Sequence, residues 1–180
     1  MKATGIVRRI DDLGRVVIPK EIRRTMRIRE GDPLEIYTDN NGEVIFKKYS
    51  PLGELGVFAA QYAEVLHKTG NFPVVVCDRD HVIAVAGIPK KELLERRVST
   101  ALEDHMEQRK PFAHTSSEPF RLQPVEGVDR YAIAGAPIIT AGDVCGSIML
   151  LAEEPTAVAG DVEVRLIATA AAFLGKQMEE

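Results

Sequence analysis

Basic side chains are concentrated at the amino terminus of the chain, and most of them are arginines. Residues 1–29 carry nine basic and three acidic side chains, a net charge of +6, whereas the whole chain has a net charge of −4. The planar guanidinium of arginine donates paired hydrogen bonds to phosphates and guanine edges, which the ammonium of lysine cannot reproduce. A positive segment on an otherwise acidic chain therefore predicts a polyanion partner. The candidate DNA-binding residues are Arg8, Arg9, Arg15, Lys20, Arg23, Arg24 and Arg27.

The second half of this segment has the pattern of a short amphipathic helix. Pro19 suits a first helical position, and residues 20–26 follow as about two turns. At roughly 100° per residue, Ile22 and Met26 fall on one face and the basic residues on the other. The pattern predicts a helix with an apolar core face and a cationic outer face. An alternative stays open, in which some arginines pair with the carboxylates of Asp11, Asp12 and Glu21.

Short strands are predicted on both sides of this helix. Strand-like runs lie at 5–7, 15–18, 34–37 and 44–46, with turn residues at 11–14 and 39–42. A module of about fifty residues buries too little apolar surface unless a metal, disulfides or a partner chain helps. Since this segment has no cysteine and no metal-ligand set, we expect a dimer with interleaved strands. The expected shared core is Ile6, Val16, Ile18, Ile22, Leu34, Ile36, Val44 and Phe46.

Residues 4–19 together with Glu21-Ile22-Arg23-Arg24 resemble the AbrB-like swapped-hairpin regulators of spore-forming bacteria. The resemblance implies an intertwined homodimer with two interleaved hairpins. It also implies contacts with double-stranded DNA from Arg8, Arg15, Arg23 and Arg24. Such relatives bind AT-rich promoter regions with loose sequence preference, which suggests that DNA shape is read as well as base edges.

The rest of the chain predicts a second domain that mixes helices with an antiparallel sheet. An amphipathic helix is expected from Leu52 to His67, hairpins near 73–86 and 131–152, helical segments near 90–97 and 99–108, a loop at 111–119, and a final helix with Asp161 as its N-cap. This order favours an α+β fold. The predicted domains are a DNA-binding domain at 1–50, a linker at 51–55 and a sensor or oligomerisation domain at 56–180.

Two segments of the second domain resemble GAF-type sensor domains. They are Val76-Cys77-Asp78-Arg79-Asp80 and the pair formed by 136–139 and 142–148. The resemblance implies a pocket for a small molecule, although nothing in the sequence specifies a ligand or cofactor. The candidate pocket residues are Phe112, His114, Phe120 and Tyr131, and ordinary core packing is the alternative for them. The histidines lack metal-ligand spacing, so no metal site is predicted.

Apolar residues on the first and last helices of this domain could pack against a second copy of the chain. They lie between Leu52 and His67 and at Leu166, Ala170, Phe173 and Leu174. We expect a homotetramer in which dimers formed by the basic module are joined by these helices. Burial of both helices within one sensor domain is the open alternative.

The combination of both domains resembles regulators of sporulation genes in the forespore, which implies a transcription regulator that acts as activator and repressor. An antitoxin-like interaction protein is the alternative, because swapped-hairpin modules also occur there. An enzyme is not predicted, since no acid–base, metal or phosphate-loop pattern is present. No signal peptide or apolar membrane span is predicted from the sequence, and the two cysteines favour a reducing cytoplasm as the expected location.

Overall fold

The chain divides between Tyr49 and Ser50 into two compact units, residues 1–49 and 50–180. The structure is a computed structural model. It describes residues 4–117, 120–154 and 156–179, so Lys2 and the last two residues of the loop expected at 111–119 lie outside the described part.

Unit 1, residues 1–49, contains one helix and one hairpin. Helix α1 spans Lys20–Met26, and strands β1 (Leu34–Thr38) and β2 (Val44–Lys48) pair antiparallel. The connecting turn is held by Asp39, whose Oδ1 accepts from the backbone N–H groups of Asn41 and Glu43 at 3.0 and 2.8 Å. The hairpin therefore forms where the alternating pattern and the turn residues predict it.

The strands expected at 5–7 and 15–18 do not form in the described part of the single chain. A strand needs a neighbour along its length for its N–H and C=O groups. Among the described residues of one copy, the backbone bond that these runs make is the one from the Asp11 N–H to the Arg15 carbonyl. Val7 and Val17 are 86% and 71% exposed, and the core residues of the described chain begin at Leu52, although Pro19 is also buried. The expected shared core is thus partly exposed in one chain.

Unit 2, residues 50–180, is built on a five-stranded antiparallel sheet. Its helices are α2 (Pro51–Glu54), α3 (Gly56–Gly70), α4 (Thr100–Gln108) and α5 (Asp161–Gln177), with a 3-10 turn at Lys90–Glu92. Its strands are β3 (Val74–Asp78), β4 (Val82–Ala86), β5 (Phe112–Ala113), β6 (Ala132–Thr140) and β7 (Asp143–Leu151), in the spatial order β4-β3-β7-β6-β5. The predicted α+β fold is confirmed.

Helices cover both faces of this sheet, so its central strands are apolar on both sides. Along β3, Val74 and Val76 pack into the core that includes residues of α3 and α5, while Val75 and Cys77 pack into the core that includes residues of α4. Alternate residues of an extended strand point to opposite faces. The unbroken apolar run of β3 is the result.

Three local expectations differ from the structure. The residues expected as a linker, 51–55, include helix α2, and the Leu52 side chain is wholly buried. The helix expected at 90–97 is a short turn, because Glu95 has a positive φ of 61° and its N–H bonds back to the carbonyl of Val82. The N-cap of α5 is Gly160, whose N–H is bound by the Glu163 carboxylate at 2.9 Å, and Asp161 is the first helical residue.

Gly146 on β7 gives Leu52 room to enter the core. A Cβ at this position would lie 2.0 Å from the Cys77 carbonyl oxygen and 2.8 Å from Leu52 Cδ2. Both contacts are far shorter than van der Waals separation, and one is to backbone. The close approach of β7, β3 and α2 therefore requires glycine here.

We predict that Gly146→Ala destabilises unit 2 by about 1–3 kcal/mol, the usual cost of overpacking a dense core. The matched control is Gly56→Ala, because a Cβ on Gly56 would meet nothing within 4 Å. The melting temperature of the full chain should fall by about 2–4 °C per kcal/mol for the first variant and stay near wild type for the second. Equal melting temperatures for the two variants would contradict the packing argument.

Candidate nucleic-acid interface

Helix α1 begins and ends through backbone contacts that do not use its basic side chains. Pro19 is the N-cap rather than the first helical residue, and its carbonyl accepts from the N–H of Arg23 at 2.9 Å. Arg27 ends the helix in the left-handed conformation with φ of 50°, and the N–H of Ile28 bonds to the Arg23 carbonyl at 2.8 Å. Backbone groups therefore close both the first and the last turn of α1.

The basic residues of α1 share one face because they follow helical spacing. Lys20 and Arg24 are exposed, whereas Arg23 and Arg27 are half-buried. Glu21 lies in the first turn and Arg23 and Arg24 in the last, an arrangement that the helix dipole stabilises. The opposite face is only partly covered in one chain, since Ile22 is half-buried and Met26 is 59% exposed.

The remaining candidates lie before α1, on exposed segments of the chain. Arg8 and Arg9 lie outside any helix or strand, and Arg15 closes the turn that starts at Asp11. Arg15 Nε donates to Asp11 Oδ2 at 2.8 Å. The alternative of arginine–carboxylate pairing therefore applies to this arginine, through one atom of its guanidinium.

The Asp11 carboxylate is held in its charged form. The backbone N–H of Arg15 and then its guanidinium donate to this carboxylate and lower the pKa of Asp11. These hydrogen bonds favour the ionised acid over the protonated one. The carboxylate therefore stays charged to a lower pH than an aspartate without these hydrogen bonds would.

Lys48 ties the hairpin of unit 1 to the end of α1. Its Nζ donates to the carbonyl of Arg27 at 3.1 Å and lies 3.8 Å from Asp32 Oδ2, which also accepts from the N–H of Arg29 at 2.8 Å. Sequence reasoning missed this contact because Lys48 lies 21 residues from Arg27 and follows a strand pattern. When the basic residue that contacts a helix C-terminus comes from another element, the sequence around the helix does not reveal the contact.

The candidate pocket residues of unit 2 have different environments. Phe112 is half-buried on β5 and packs into the core that includes residues of α4, and His114 is 6% exposed. Phe120 is 58% exposed. Tyr131 is half-buried, and the Arg121 guanidinium lies 5.6 Å from the centre of its ring. The ligand pocket stays a prediction.

Two histidines near β5 have ring nitrogens with no hydrogen-bond partner among the described residues. The two nitrogen atoms are Nδ1 of His114 and Nε2 of His105. The His105 ring packs edge-on against the Phe112 ring, and the two ring centroids are 5.5 Å apart. Burial lowers the pKa of His105. Sequence reasoning did not single out His105, because one histidine in a helical pattern is no signal.

We predict that His105 makes unit 2 sensitive to acid. A histidine whose folded pKa is depressed binds fewer protons in the folded state, so its contribution to stability is lost as pH falls through its ordinary value of 6.5. Between about pH 7.5 and 5, a range that spans the titration of an ordinary histidine, the melting temperature should therefore fall less in His105→Gln than in wild type. His81→Gln, a change at an exposed histidine, is the control and should keep the wild-type profile; a His105→Gln profile that also matched wild type would refute the assignment.

The comparisons with known proteins cover the whole chain. The family model described as stage V sporulation protein T C-terminal, transcription factor, matches residues 54–179. Stage V sporulation protein T of Bacillus subtilis (strain 168) is 50% identical over 184 residues, which covers all of both chains. The chain belongs to the stage V sporulation protein T family of transcription factors.

Each half of this family member has relatives of its own. Residues 7–53 match the model of the antidote-toxin recognition family MazE, bacterial antitoxin. The transition state regulatory protein AbrB of Bacillus subtilis (strain 168) is 63% identical over 51 residues, 28% of this chain and 52% of that protein. Unit 1 is thus an AbrB-like DNA-binding domain.

Unit 2 has the GAF fold. The GAF domain of a phosphoenolpyruvate-protein phosphotransferase from Coxiella burnetii aligns with a TM-score of 0.54 at 19% identity, covering 69% of this chain and 82% of that one. This likeness concerns the fold alone. The sequence analysis found a resemblance to AbrB-like regulators in the first domain and to GAF-type domains in the second. Both resemblances are confirmed.

Among the described residues, no cluster of three or more histidine, cysteine or carboxylate side chains could hold a metal ion. In the same part of the chain, no helix is both long and apolar enough to cross a membrane. The relatives of this family are transcription factors rather than enzymes.

Proposed function

We propose that this family member regulates forespore genes, as activator and repressor, by binding AT-rich promoter DNA through the cationic residues of unit 1. The proposed contacts are Arg8, Arg9, Arg15, Lys20, Arg23, Arg24 and Arg27. The observation that carries the proposal is the cationic face of α1, on which the basic residues follow helical spacing, while backbone hydrogen bonds close both ends of the helix. The site of action is the cytoplasm, where promoter DNA is found.

Phosphate contacts supply most of the affinity in this proposal, and base contacts set the sequence preference. Arginines on a short helix can reach phosphates on both sides of a groove and base edges within it. AT-rich DNA has a narrow minor groove with enhanced negative potential, which attracts arginine without base-specific hydrogen bonds. A loose sequence preference is the expected result.

The DNA-binding form is a homodimer through unit 1. The exposed apolar side chains of residues 4–18 and of the hairpin support this, since Ile36 and Val44 are 61% and 59% exposed in one chain. Pairing with a second copy would hydrogen-bond the extended residues and bury these side chains. It would also double the number of cationic faces that meet the DNA.

Two such dimers form a homotetramer through α3 and α5. Several apolar residues of these helices, among them Ala59, Leu66, Ala170 and Leu174, are buried inside unit 2 itself, as the open alternative expects. Others remain at the surface: Val57, Val65, Val162 and Phe173 are exposed, and the Phe173 ring lies 5.3 Å from Tyr62 and 6.1 Å from Phe58 between centroids. This surface supports the tetramer.

The antitoxin alternative has one observation in its favour, the match of residues 7–53 to the MazE family model. An antitoxin of this type carries a short tail that becomes ordered on its toxin. Residues 54–179 instead match a transcription-factor model and fold around their own sheet. The regulator is therefore the better-supported function.

We expect the affinity for an AT-rich promoter fragment to fall about 10³-fold or more between about 50 and 200 mM salt, as for six to ten phosphate contacts. Arg24→Ala should bind more weakly, and the slope of log affinity against log salt should shrink by about 2 for a dimer that loses two contacts. Fluorescence anisotropy across a salt series measures both. Lys68→Ala removes an exposed charge from α3 and should change neither; a slope that is unaltered in Arg24→Ala would count against the interface.

We expect Phe173→Glu to convert the tetramer into dimers, because a carboxylate would be buried without a partner at the contact between helices. Light scattering at micromolar protein concentration gives the mass. Glu179→Gln, at an exposed residue after α5, serves as the control and should stay tetrameric. A dimer mass for the wild-type chain would rule out the tetramer.

A further inference from the structure

The turn at 11–15 is organised around the Asp11 carboxylate. Its Oδ1 accepts from the backbone N–H groups of Leu13 and Arg15 at 3.0 and 2.7 Å, and its Oδ2 accepts from Arg15 Nε at 2.8 Å. The backbone adds two bonds, from Asp11 N–H to the Arg15 carbonyl and from Gly14 N–H to the Asp11 carbonyl, both 3.0 Å. One acidic side chain thus holds both the backbone and the side chain of Arg15.

The guanidinium of Arg15 is left with its outer edge available. An arginine has one Nε–H donor and four Nη–H donors, and among the described residues the side chain is held by Asp11 through Nε. The Arg15 side chain is 70% exposed. The outer edge, which carries one N–H of each Nη atom, is therefore not used by the Nε contact.

By its charge alone, the Asp11 carboxylate should weaken the binding of DNA. A carboxylate within a cationic surface repels a polyanion, and its removal should strengthen DNA binding. A fixed arginine, however, loses less side-chain freedom when it binds than a mobile one does. The two effects have opposite signs, so an experiment can separate them.

We propose that Asp11 is a positioning residue for DNA binding, which holds the Arg15 guanidinium by Nε so that both Nη atoms are presented to a phosphate or a base edge. The inference rests on the proposed function, since it presupposes that unit 1 binds DNA. Asp11 acts through Arg15 and makes no contact with DNA itself. Acting in this way, the acidic residue increases the affinity for an anionic ligand.

Asp11→Asn is the decisive variant, because the amide oxygen can still accept the two backbone N–H groups while the amide nitrogen cannot accept from Arg15 Nε. Asp12→Asn is its matched control. It removes the same charge one residue away, from an exposed side chain with no described contact. Both variants are compared with wild type for affinity to one AT-rich fragment at one salt concentration.

Asp11→Asn should weaken binding about threefold to tenfold, the range that corresponds to the freedom of one long side chain. Asp12→Asn should leave the affinity unchanged or raise it. In an Arg15→Ala background, the added Asp11→Asn change should no longer weaken binding, because the group it positions is gone. In the free protein, the Nε–H of Arg15 should exchange faster with water in Asp11→Asn than in wild type when followed by nuclear magnetic resonance.

The inference is overturned if Asp11→Asn binds as tightly as Asp12→Asn, or if it weakens binding equally with and without Arg15. Unchanged exchange at Arg15 Nε in Asp11→Asn also overturns it, and this readout needs no DNA. Wild-type protein that fails to bind DNA would remove the proposed function and the inference together. Binding by wild type that is lost in Arg15→Ala, with no difference between the two asparagine variants, removes the inference alone.

Discussion

Each unit of this protein must bury its apolar side chains, and the two units differ in how far one chain can do so. Unit 1 is too short to enclose a core, and its first apolar residues stay exposed in one chain. Its extended residues before α1 also lack strand neighbours within the described part of that chain. In the proposed homodimer, a second copy would cover the segment that carries the cationic side chains. DNA binding and dimer formation become one thermodynamic event in the proposed function.

Unit 2 solves the same problem alone. Its sheet has a packed core on each face, and the wholly buried side chains come from every long element of the unit. Close approaches to backbone, such as that of α5 to β6 at Gly175, where a Cβ would lie 2.3 Å from the Ile139 carbonyl oxygen, leave little room for rearrangement. Near β5, by contrast, two ring nitrogens have no described partner.

Local chemistry made much of this structure predictable. The hairpin of β1 and β2 follows from alternation on both sides of a turn with Asp39 and Gly42, and both are placed as such residues usually are. The strands of unit 2 follow from apolar runs between turn residues. The cationic face of α1 follows from helical spacing, although which of its residues contact DNA remains a proposal.

The features that differ from the sequence-based expectations depend on partners that the local sequence does not show. The strands at 5–7 and 15–18 need a neighbour that one chain does not provide, and Leu52 is buried by β7 residues more than ninety positions later. From the sequence, Asp11 is only a carboxylate near arginines. Its hydrogen bond from the Arg15 backbone N–H is visible only in the structure. Composition reads 51–55 as a linker, because Ser-Pro-Leu-Gly is common in loops.

The start of unit 2 has a consequence for how such proteins can be recombined. Ser50 Oγ caps α2 by accepting from the Gly53 N–H at 3.0 Å, and its O–H donates to Asp78 Oδ2 at 2.9 Å, while the other oxygen of Asp78 holds the turn between β3 and β4. Tyr49, one residue earlier, still bonds to the Pro33 carbonyl in unit 1. The seam for exchanging one amino-terminal module for another is therefore the single peptide bond between residues 49 and 50. A chimera cut at residue 56 would transplant a GAF-fold domain without helix α2 and without Ser50, which donates to Asp78.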